Sequence, residues 1–200
     1  KYLLKIISDV KKYLIIQKIK YKNMKLKNIE KYIRLVPNFP KEGIMFRDIT
    51  PLFTKHKLIK SVSKKLSKLV SDIEFDIVVG MESRGFLFGT LLSINNKAAF
   101  ALARKAGKLP YEKVATTYNL EYGSATIEMH IDSITHGQKV LICDDLLATG
   151  GTVLACAELV ERLGGIVVGF NFVIELTDLG GVDNIRKKYP EVSITSLFKY

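Results

Sequence analysis

Residues 140–152 read VLICDDLLATGGT, and this stretch predicts the fold around it. Its first four residues are an apolar run of the kind found in a buried strand. Asp144 and Asp145 follow, and residues 148–152 then open a segment whose apolar residues recur at helical spacing. The order of buried strand, acidic pair, glycine turn and helix favours an α/β protein with a binding site at the turn.

The glycine turn has the chemistry of a phosphate site. Gly150 and Gly151 leave the backbone N–H groups accessible because they carry no Cβ. These groups and the positive end of the following helix attract an anion, and the hydroxyls of Thr149 and Thr152 add hydrogen bonds. The two preceding carboxylates are acceptors at the distance where a ribose presents two hydroxyls. The stretch therefore predicts a site for a phosphorylated sugar.

An ordinary strand–turn–helix connection, with Asp residues that cap the loop, is the structural alternative. A doubled acid at the end of an apolar strand is costly unless it is compensated, which favours a functional site. The chain has neither the G-x-x-x-x-G-K-[ST] loop of a nucleoside triphosphatase nor the G-x-G-x-x-G turn of a dinucleotide fold.

The same stretch resembles the phosphoribosyl pyrophosphate signature of the type I phosphoribosyltransferases, in the form found in the adenine-specific members. Other blocks resemble that family in the same order, over about residues 30–180. They are the N-terminal hood at residues 37–40, 43 and 46–49, the pyrophosphate loop at residues 80–89, and the mobile catalytic loop at residues 104–105, 107–110 and 118–123.

The resemblance implies a reaction in which adenine and phosphoribosyl pyrophosphate give AMP and pyrophosphate, with inversion at the anomeric carbon and Mg²⁺ as cofactor. It implies Glu121 as the general acid or base, with Arg84 and Arg104 neutralising the leaving pyrophosphate. The residues expected to bind substrate are Met45, Phe46, Arg47, Glu82, Ser83, Lys105, Lys108, Tyr122, Asp144, Asp145, Ala148, Thr149, Gly150, Gly151 and Thr152. Asp144 and Asp145 are also expected to serve the metal indirectly, through substrate and water.

The resemblance specifies some of these roles further, and for other residues a purely structural role is the alternative. By resemblance, main-chain groups of Met45 and Arg47 read the edge of adenine while Phe46 covers its ring. In the family the bond equivalent to Glu82–Ser83 is commonly a cis peptide. Solvation at the surface is the alternative for the two lysines, and an exposed strand-edge position is the alternative for Glu121.

Composition limits the class of protein. Two hundred residues, 48% of them hydrophobic, suit one globular domain. The net charge is +11, but residues 1–23 hold seven Lys and one Asp, so the rest of the chain carries only +5. No apolar run reaches the ~18 residues of a membrane span. We expect a cytoplasmic homodimer without nucleic-acid or membrane partners. Weak membrane contact of residues 1–23 is a minor alternative.

The predicted fold is α/β, with a mostly parallel central sheet flanked by helices, a small N-terminal hood and a mobile loop. Residues 1–23 are expected to be a poorly ordered basic extension, residues 24–52 the hood, and residues 53–200 the core, with the loop at about 104–123. Apolar runs predict strands at residues 75–80, 98–103, 139–144, 166–176 and 194–200, extended structure at 121–130, and helices at 58–70, 83–94 and after the glycine turn.

Two alternatives stay open within this fold. The base could be hypoxanthine, guanine, xanthine or orotate, or the protein could be a non-enzymatic regulator that binds phosphoribosyl pyrophosphate and DNA. Retention of Glu121 and of the hood favours the enzyme. Cys143 and Cys156 lack C-x-x-C spacing and are expected to be reduced core thiols.

Overall fold

In the computed structural model, residues 26–119 and 123–200 are described. The chain divides into two compact units, residues 1–62 and 63–200. The predicted extension at residues 1–23 lies outside the described residues, and so do Glu121 and Tyr122. The helix α2 (His56–Leu69) begins in the first unit and ends in the second.

The first unit contains a small antiparallel ribbon. Its elements are α1 (Leu26–Glu30), β1 (Arg34–Pro37), β2 (Met45–Asp48) and a 3-10 helix (Thr50–Thr54). β1 and β2 pair from Arg34–Asp48 to Pro37–Met45. The Phe39 and Phe46 rings pack edge to face with centroids 5.1 Å apart, and Phe39–Pro40 is a cis peptide. Phe46, predicted to cover a base, thus lies in an aromatic pair on β2.

The second unit is built on a seven-stranded sheet of order β5-β6-β4-β3-β7-β8-β9. Its strands are β3 (Ile77–Met81), β4 (Ala99–Lys105), β5 (Lys113–Asn119), β6 (Ser124–His130), β7 (Lys139–Leu147), β8 (Ile166–Glu175) and β9 (Ser193–Lys199). Strands β4, β3, β7, β8 and β9 run parallel, whereas β5 and β6 form an antiparallel ribbon on β4. The prediction of a mostly parallel sheet is confirmed.

Helices cover both faces of this sheet. They are α3 (Arg84–Asn96), α4 (Gly151–Arg162) and α5 (Gly181–Lys188), and a short 3-10 turn (Thr177–Leu179) precedes α5. Ile77 and Val79 share one core cluster with Cys156 of α4 and Ile185 of α5. Because side chains alternate along a strand, Gly80 faces the opposite side, where α3 packs.

Helix α3 approaches the sheet closely through a glycine slot. A Cβ on Gly80 or on Gly89 would come within 2.7 Å of the Phe100 ring. The Phe100 ring, on β4, therefore fills the space that Gly80 of β3 and Gly89 of α3 leave open. This contact sets how near the first turn of α3, and the loop before it, lies to the carboxyl ends of the strands.

Two predicted boundaries were wrong. Strand β7 continues through Asp144 and Asp145 to Leu147, because Leu146 and Leu147 keep pairing with the ten-residue strand β8. Within the loop predicted at about 104–123, residues 113–119 form strand β5, which pairs with β6 along its whole length. The Gly and Pro residues at 107–110 thus mark only the turn between β4 and β5.

The other elements follow the prediction within a few residues. On α2, Leu58, Val62 and Leu66 are buried as the helical spacing predicts, but Leu69 is exposed. Cys143 and Cys156 are free and fully buried, which confirms them as core thiols, and burial raises the pKa of each above its ordinary value. Among the residues that the structure describes, no helix is long and apolar enough to cross a membrane.

Candidate active site

The glycine turn forms an open cavity of about 180 Å³ between β7 and α4. Its lining comprises Asp144, Leu146, Leu147, Ala148, Thr149, Gly150, Gly151, Thr152 and Val153. Gly150, with φ +87°, is the residue before α4, and within the described part of the chain no side chain caps that helix. The first N–H groups of α4 are therefore left available for an anion to accept hydrogen bonds from them.

The glycine turn is supported from behind by α5. A Cβ on Gly181 would lie 2.2 Å from the Ala148 carbonyl oxygen, so the two backbones touch. The Asn184 amide donates a 3.0 Å hydrogen bond to the carbonyl of Thr149. Neither residue was among the predicted site residues, because each stands about thirty positions after the turn and carries no charge.

The acidic pair of β7 is held by α3 and by its own backbone. Arg84 Nε lies 2.5 Å from Asp145 Oδ2, and the Asp145 amide donates to Asp144 Oδ1 at 2.8 Å. Gly85 lies against Asp144, since a Cβ there would come within 2.7 Å of Oδ1. Burial and the neighbouring Asp145 charge raise the pKa of Asp144 well above its ordinary value. The two adjacent acids therefore differ in their surroundings, since Asp145 is paired with Arg84 whereas burial raises the pKa of Asp144.

The predicted pyrophosphate loop connects β3 to α3. Its Glu82–Ser83 bond is cis, which confirms the expectation. The Glu82 carboxylate accepts two hydrogen bonds of 3.2 Å from Arg104 and one of 3.0 Å from the Lys105 amide. Burial alone would raise the pKa of Glu82, but these hydrogen bonds and the Arg104 charge outweigh it, so the pKa lies below its ordinary value. The Glu82 side chain is thus hydrogen-bonded to two residues of β4 rather than facing solvent.

Several backbone groups of the turn after β4 form hydrogen bonds with side chains. Arg104 Nη1 donates to the Lys108 carbonyl at 3.0 Å, and the Gly107 amide donates to Glu128 Oε2 at 3.1 Å. The Lys113 ammonium lies 3.2 Å from the same Glu128 oxygen and donates to the Leu109 carbonyl at 3.3 Å. Glu128 and Lys113 were not among the predicted site residues.

The structure brings several predicted site residues of the second unit to one edge of the sheet. Glu82, Lys105 and Thr152 line a second, smaller cavity of about 30 Å³, together with Met81, Ala103, Tyr118 and Ile127. The carboxyl ends of β3 and β4 thereby meet the N-terminus of α4. Met45, Phe46 and Arg47 lie on β2 of the first unit.

The donor set is suited to a metal ion that takes few ligands from protein. Asp144 and Asp145 are adjacent carboxylates, and Asp145 is already paired with Arg84. Among the residues described, no group of three or more His, Cys, Asp or Glu side chains is placed to hold a metal. Mg²⁺ commonly uses one or two carboxylates and completes its shell with phosphate oxygens and water. The residues present fit that mode of binding.

Comparisons with known proteins agree with this geometry. The phosphoribosyl transferase domain family matches residues 49–196. The adenine phosphoribosyltransferase of Agathobacter rectalis is 47% identical over 175 residues, which cover 88% of this chain and 98% of that protein. The crystal structure of the Thermoanaerobacter pseudethanolicus adenine phosphoribosyltransferase superposes with a TM-score of 0.83 at 45% identity, covering 88% of this chain and 100% of that one.

A third relative was solved with ligands. The Saccharomyces cerevisiae adenine phosphoribosyltransferase, in complex with adenine and an imino-altritol bisphosphate, has a TM-score of 0.76 at 38% identity and covers 90% of this chain and 99% of its own. Identity at this level over nearly the full length of the relatives, with the glycine turn, acidic pair and cis loop converging at one sheet edge, places the chain in the adenine phosphoribosyltransferase family.

Proposed function

We propose that this protein transfers the phosphoribosyl group of phosphoribosyl pyrophosphate to adenine, giving AMP and releasing pyrophosphate. The observation that carries the proposal is the glycine turn at the start of α4, with Gly150 left-handed and the carboxylate of Asp144 lining the same cavity. One pocket thus offers donors for a phosphate and an acceptor for sugar hydroxyls.

The 5′-phosphate would bind residues 148–152. Their N–H groups would donate to the phosphate at the positive end of α4, and the hydroxyls of Thr149 and Thr152 would add donors. Asp144 and Asp145 would accept hydrogen bonds from the ribose hydroxyls. Their negative charge favours the positive charge that develops on the sugar as the bond to pyrophosphate breaks. Arg84 orients Asp145 through its 2.5 Å contact.

The leaving pyrophosphate would bind at the loop after β3. Ser83 forms one side of the cis bond. Positive charge around the pyrophosphate would come from Arg84, Arg104, Lys105 and Lys108. Arg104 is held by Glu82 and by the Lys108 carbonyl, so its position is set before substrate arrives. Mg²⁺, when bound near Asp144 and Asp145 through substrate oxygens and water, would neutralise the leaving group further.

Two roles belong to residues outside the described part of the chain. Glu121 would act as the general acid or base toward adenine, and Tyr122 would pack over the reacting ring. A positioned carboxylate contributes roughly 10²–10⁴ in rate. The support for both roles is the match of residues 118–123 to the family's catalytic loop.

The base would be read by main-chain groups of Met45 and Arg47, with Phe46 covering its ring. Adenine presents an amine donor beside a ring-nitrogen acceptor, and hypoxanthine presents the reverse. Backbone groups cannot exchange donor for acceptor, so they discriminate strongly, by as much as roughly 10⁴-fold. The proposal is completed by domain limits at residues 23/24 and 52/53, a homodimeric state and a cytoplasmic location.

A coupled assay of nucleotide formation tests the proposal. The protein is supplied with phosphoribosyl pyrophosphate, Mg²⁺ and a panel of adenine, hypoxanthine, guanine, xanthine and orotate. We expect kcat/KM to be highest for adenine by a wide margin. Comparable efficiency with hypoxanthine would remove the adenine assignment, and binding of phosphoribosyl pyrophosphate without turnover of any base would indicate a non-enzymatic regulator.

A further inference from the structure

The turn that follows β4 is fixed by side chains that form hydrogen bonds with its backbone. Glu82 accepts from the Lys105 amide, and Arg104 donates to the Lys108 carbonyl. Glu128 accepts from the Gly107 amide, and Lys113 donates to the Leu109 carbonyl. These hydrogen bonds hold the backbone of the turn, while the side chains of Lys105 and Lys108 are exposed.

Glu128 is the centre of this arrangement. It is 7% exposed, and its Oε2 atom receives both the Gly107 amide and the Lys113 ammonium. Its strand position lies opposite Arg104 in the β4–β6 ladder, so it reaches the turn from the neighbouring strand. A buried carboxylate is costly unless it is hydrogen-bonded and paired, and both conditions are met here.

Gly107 explains why the turn needs holding. Its φ of +78° is a left-handed conformation, and a Cβ there would meet nothing within 4 Å. The turn is therefore not packed in place at this residue, and the hydrogen bond from its amide to Glu128 fixes it instead. Without that bond the glycine regains access to a wide range of backbone angles.

We propose that Glu128 is a positioning residue for pyrophosphate, which holds the 105–109 turn so that Lys105 and Lys108 are presented to the leaving group. The inference rests on the proposed function, since it assumes that these lysines bind pyrophosphate. Glu128 itself touches backbone and Lys113, so it acts through the turn rather than on substrate.

The sign of the effect separates positioning from simple electrostatics. Glu128 is a negative charge beside a site for a polyanion. If charge alone mattered, its removal would strengthen binding of pyrophosphate, because the surroundings become more positive. If Glu128 positions the turn, its removal weakens binding in spite of the gain in positive charge.

The experiment compares Glu128→Met and Glu128→Asp with Glu112→Gln. The first variant removes charge and acceptor, and the second keeps the charge but shortens its reach to Gly107. Glu112 is exposed and lies on the same connection, so its variant measures the effect of losing a charge without releasing the turn. Calorimetry gives the Kd of Mg-pyrophosphate and of AMP, and steady-state kinetics gives KM for phosphoribosyl pyrophosphate.

We expect both Glu128 variants to raise the Kd of pyrophosphate by about tenfold, as a modest misplacement of binding groups does. The Kd of AMP, which reports the glycine turn, should stay within about twofold. In a background that carries both Lys105→Met and Lys108→Met, the effect of Glu128→Met should nearly vanish, because both side chains that it positions are already gone. If Glu128→Met does not fold, Glu128→Asp carries the test.

Unchanged or tighter pyrophosphate binding in both Glu128 variants would overturn the inference. So would an equal loss of AMP binding, since that would mean general damage to the fold. Failure of the proposed function is distinguishable, because the wild-type protein would then form no nucleotide with any base.

Discussion

The Arg84 guanidinium and the Asp145 carboxylate join the two halves of the candidate site, with Nε 2.5 Å from Oδ2. Arg84 is the first residue of α3, directly after the cis loop, and Asp145 lies near the end of β7. A group expected to face pyrophosphate is thereby bonded to a group expected to face ribose. A displacement of Arg84 would therefore be felt directly at Asp145, and the reverse holds as well.

Substitution of either acid by asparagine should lower activity, although only Asp145 is in contact with Arg84. Asp145→Asn weakens the partner of Arg84, so we expect kcat/KM to fall by about 10²-fold or more. Asp144→Asn should lower activity similarly, but it also removes a carboxylate whose pKa is raised by burial and by Asp145. Steady-state kinetics on both variants checks this, and wild-type turnover in both would contradict the ribose-binding role.

Asp144→Asn should also stabilise the apo protein at neutral pH. The folded state holds the Asp144 proton more tightly than the unfolded state, so stability falls as pH rises above 3.8 toward the raised pKa. Asparagine removes that loss. Urea unfolding of the variant and the wild type from pH 4 to 8 measures it, and a variant that is less stable at neutral pH would contradict the prediction.

Glu82→Gln should have the opposite pH signature. The pKa of Glu82 is lowered in the folded state, so its carboxylate contributes stability above 4.5 that is lost as pH falls through the lowered value. The variant should therefore be less stable than the wild type at pH 7, and the gap should close below pH 4.5. Glu112→Gln, at an exposed position, serves as the control for the loss of a carboxylate, and urea unfolding of both variants from pH 3 to 8 is the measurement.

Gly150→Ala should damage phosphate binding more than it damages stability. A left-handed alanine costs about 1–2 kcal/mol, and the new Cβ would lie 3.1 Å from the Gly181 carbonyl. Gly137→Ala is the matched control, since Gly137 has φ +81° with nothing within 4 Å. Both variants should lose similar stability in thermal unfolding, but only Gly150→Ala should raise the Kd for AMP. Equal affinities would mean that the 5′-phosphate binds elsewhere.

Gly85→Ala should uncouple α3 from the acidic pair. The new Cβ would meet Asp144 Oδ1 at 2.7 Å and the Cys143 carbonyl at 3.0 Å, and the latter is backbone that cannot rotate away. Gly89→Ala has an equally short contact, but with the Phe100 ring, far from the acids. Both should be destabilised, and the loss of kcat/KM should be larger for Gly85→Ala. Equal kinetic losses would indicate that the effect is one of packing alone.

Glu121→Gln keeps the size of the side chain and removes the proton acceptor. We expect a fall in kcat of about 10²-fold or more, with little change in binding of phosphoribosyl pyrophosphate. A defect confined to KM would mean that the residue positions substrate without taking part in proton transfer.

The local chemistry of the site could be predicted because it is contiguous. Asp144 to Thr152 carry the acids, the left-handed glycine and the helix start within nine positions, so their pattern is visible without the fold. The length of β7 was not predictable from this stretch, because it depends on how far β8 continues beside it. Pairing between strands, rather than the polarity of Asp144 and Asp145, decides where β7 ends.

The supporting residues were missed for a different physical reason. Glu128 meets Gly107 across 21 positions, and Asn184 meets Thr149 across 35. Each partner is a backbone group, which every residue possesses, so no pattern of side chains marks the contact in advance. Only the sheet order, which sets β6 beside β4, makes Glu128 a neighbour of the turn.

The contact between Gly181 and Ala148 limits how far this protein can be shortened. Every recognisable motif ends by Thr152, yet the backbone that supports the phosphate turn arrives with α5, after β8 has crossed the sheet. A fragment that stops before Gly181 would keep the full signature and lose the surface against which Ala148 rests. Design of a minimal transferase from this chain, or transplantation of its signature into another sheet, must carry the first turn of α5 along.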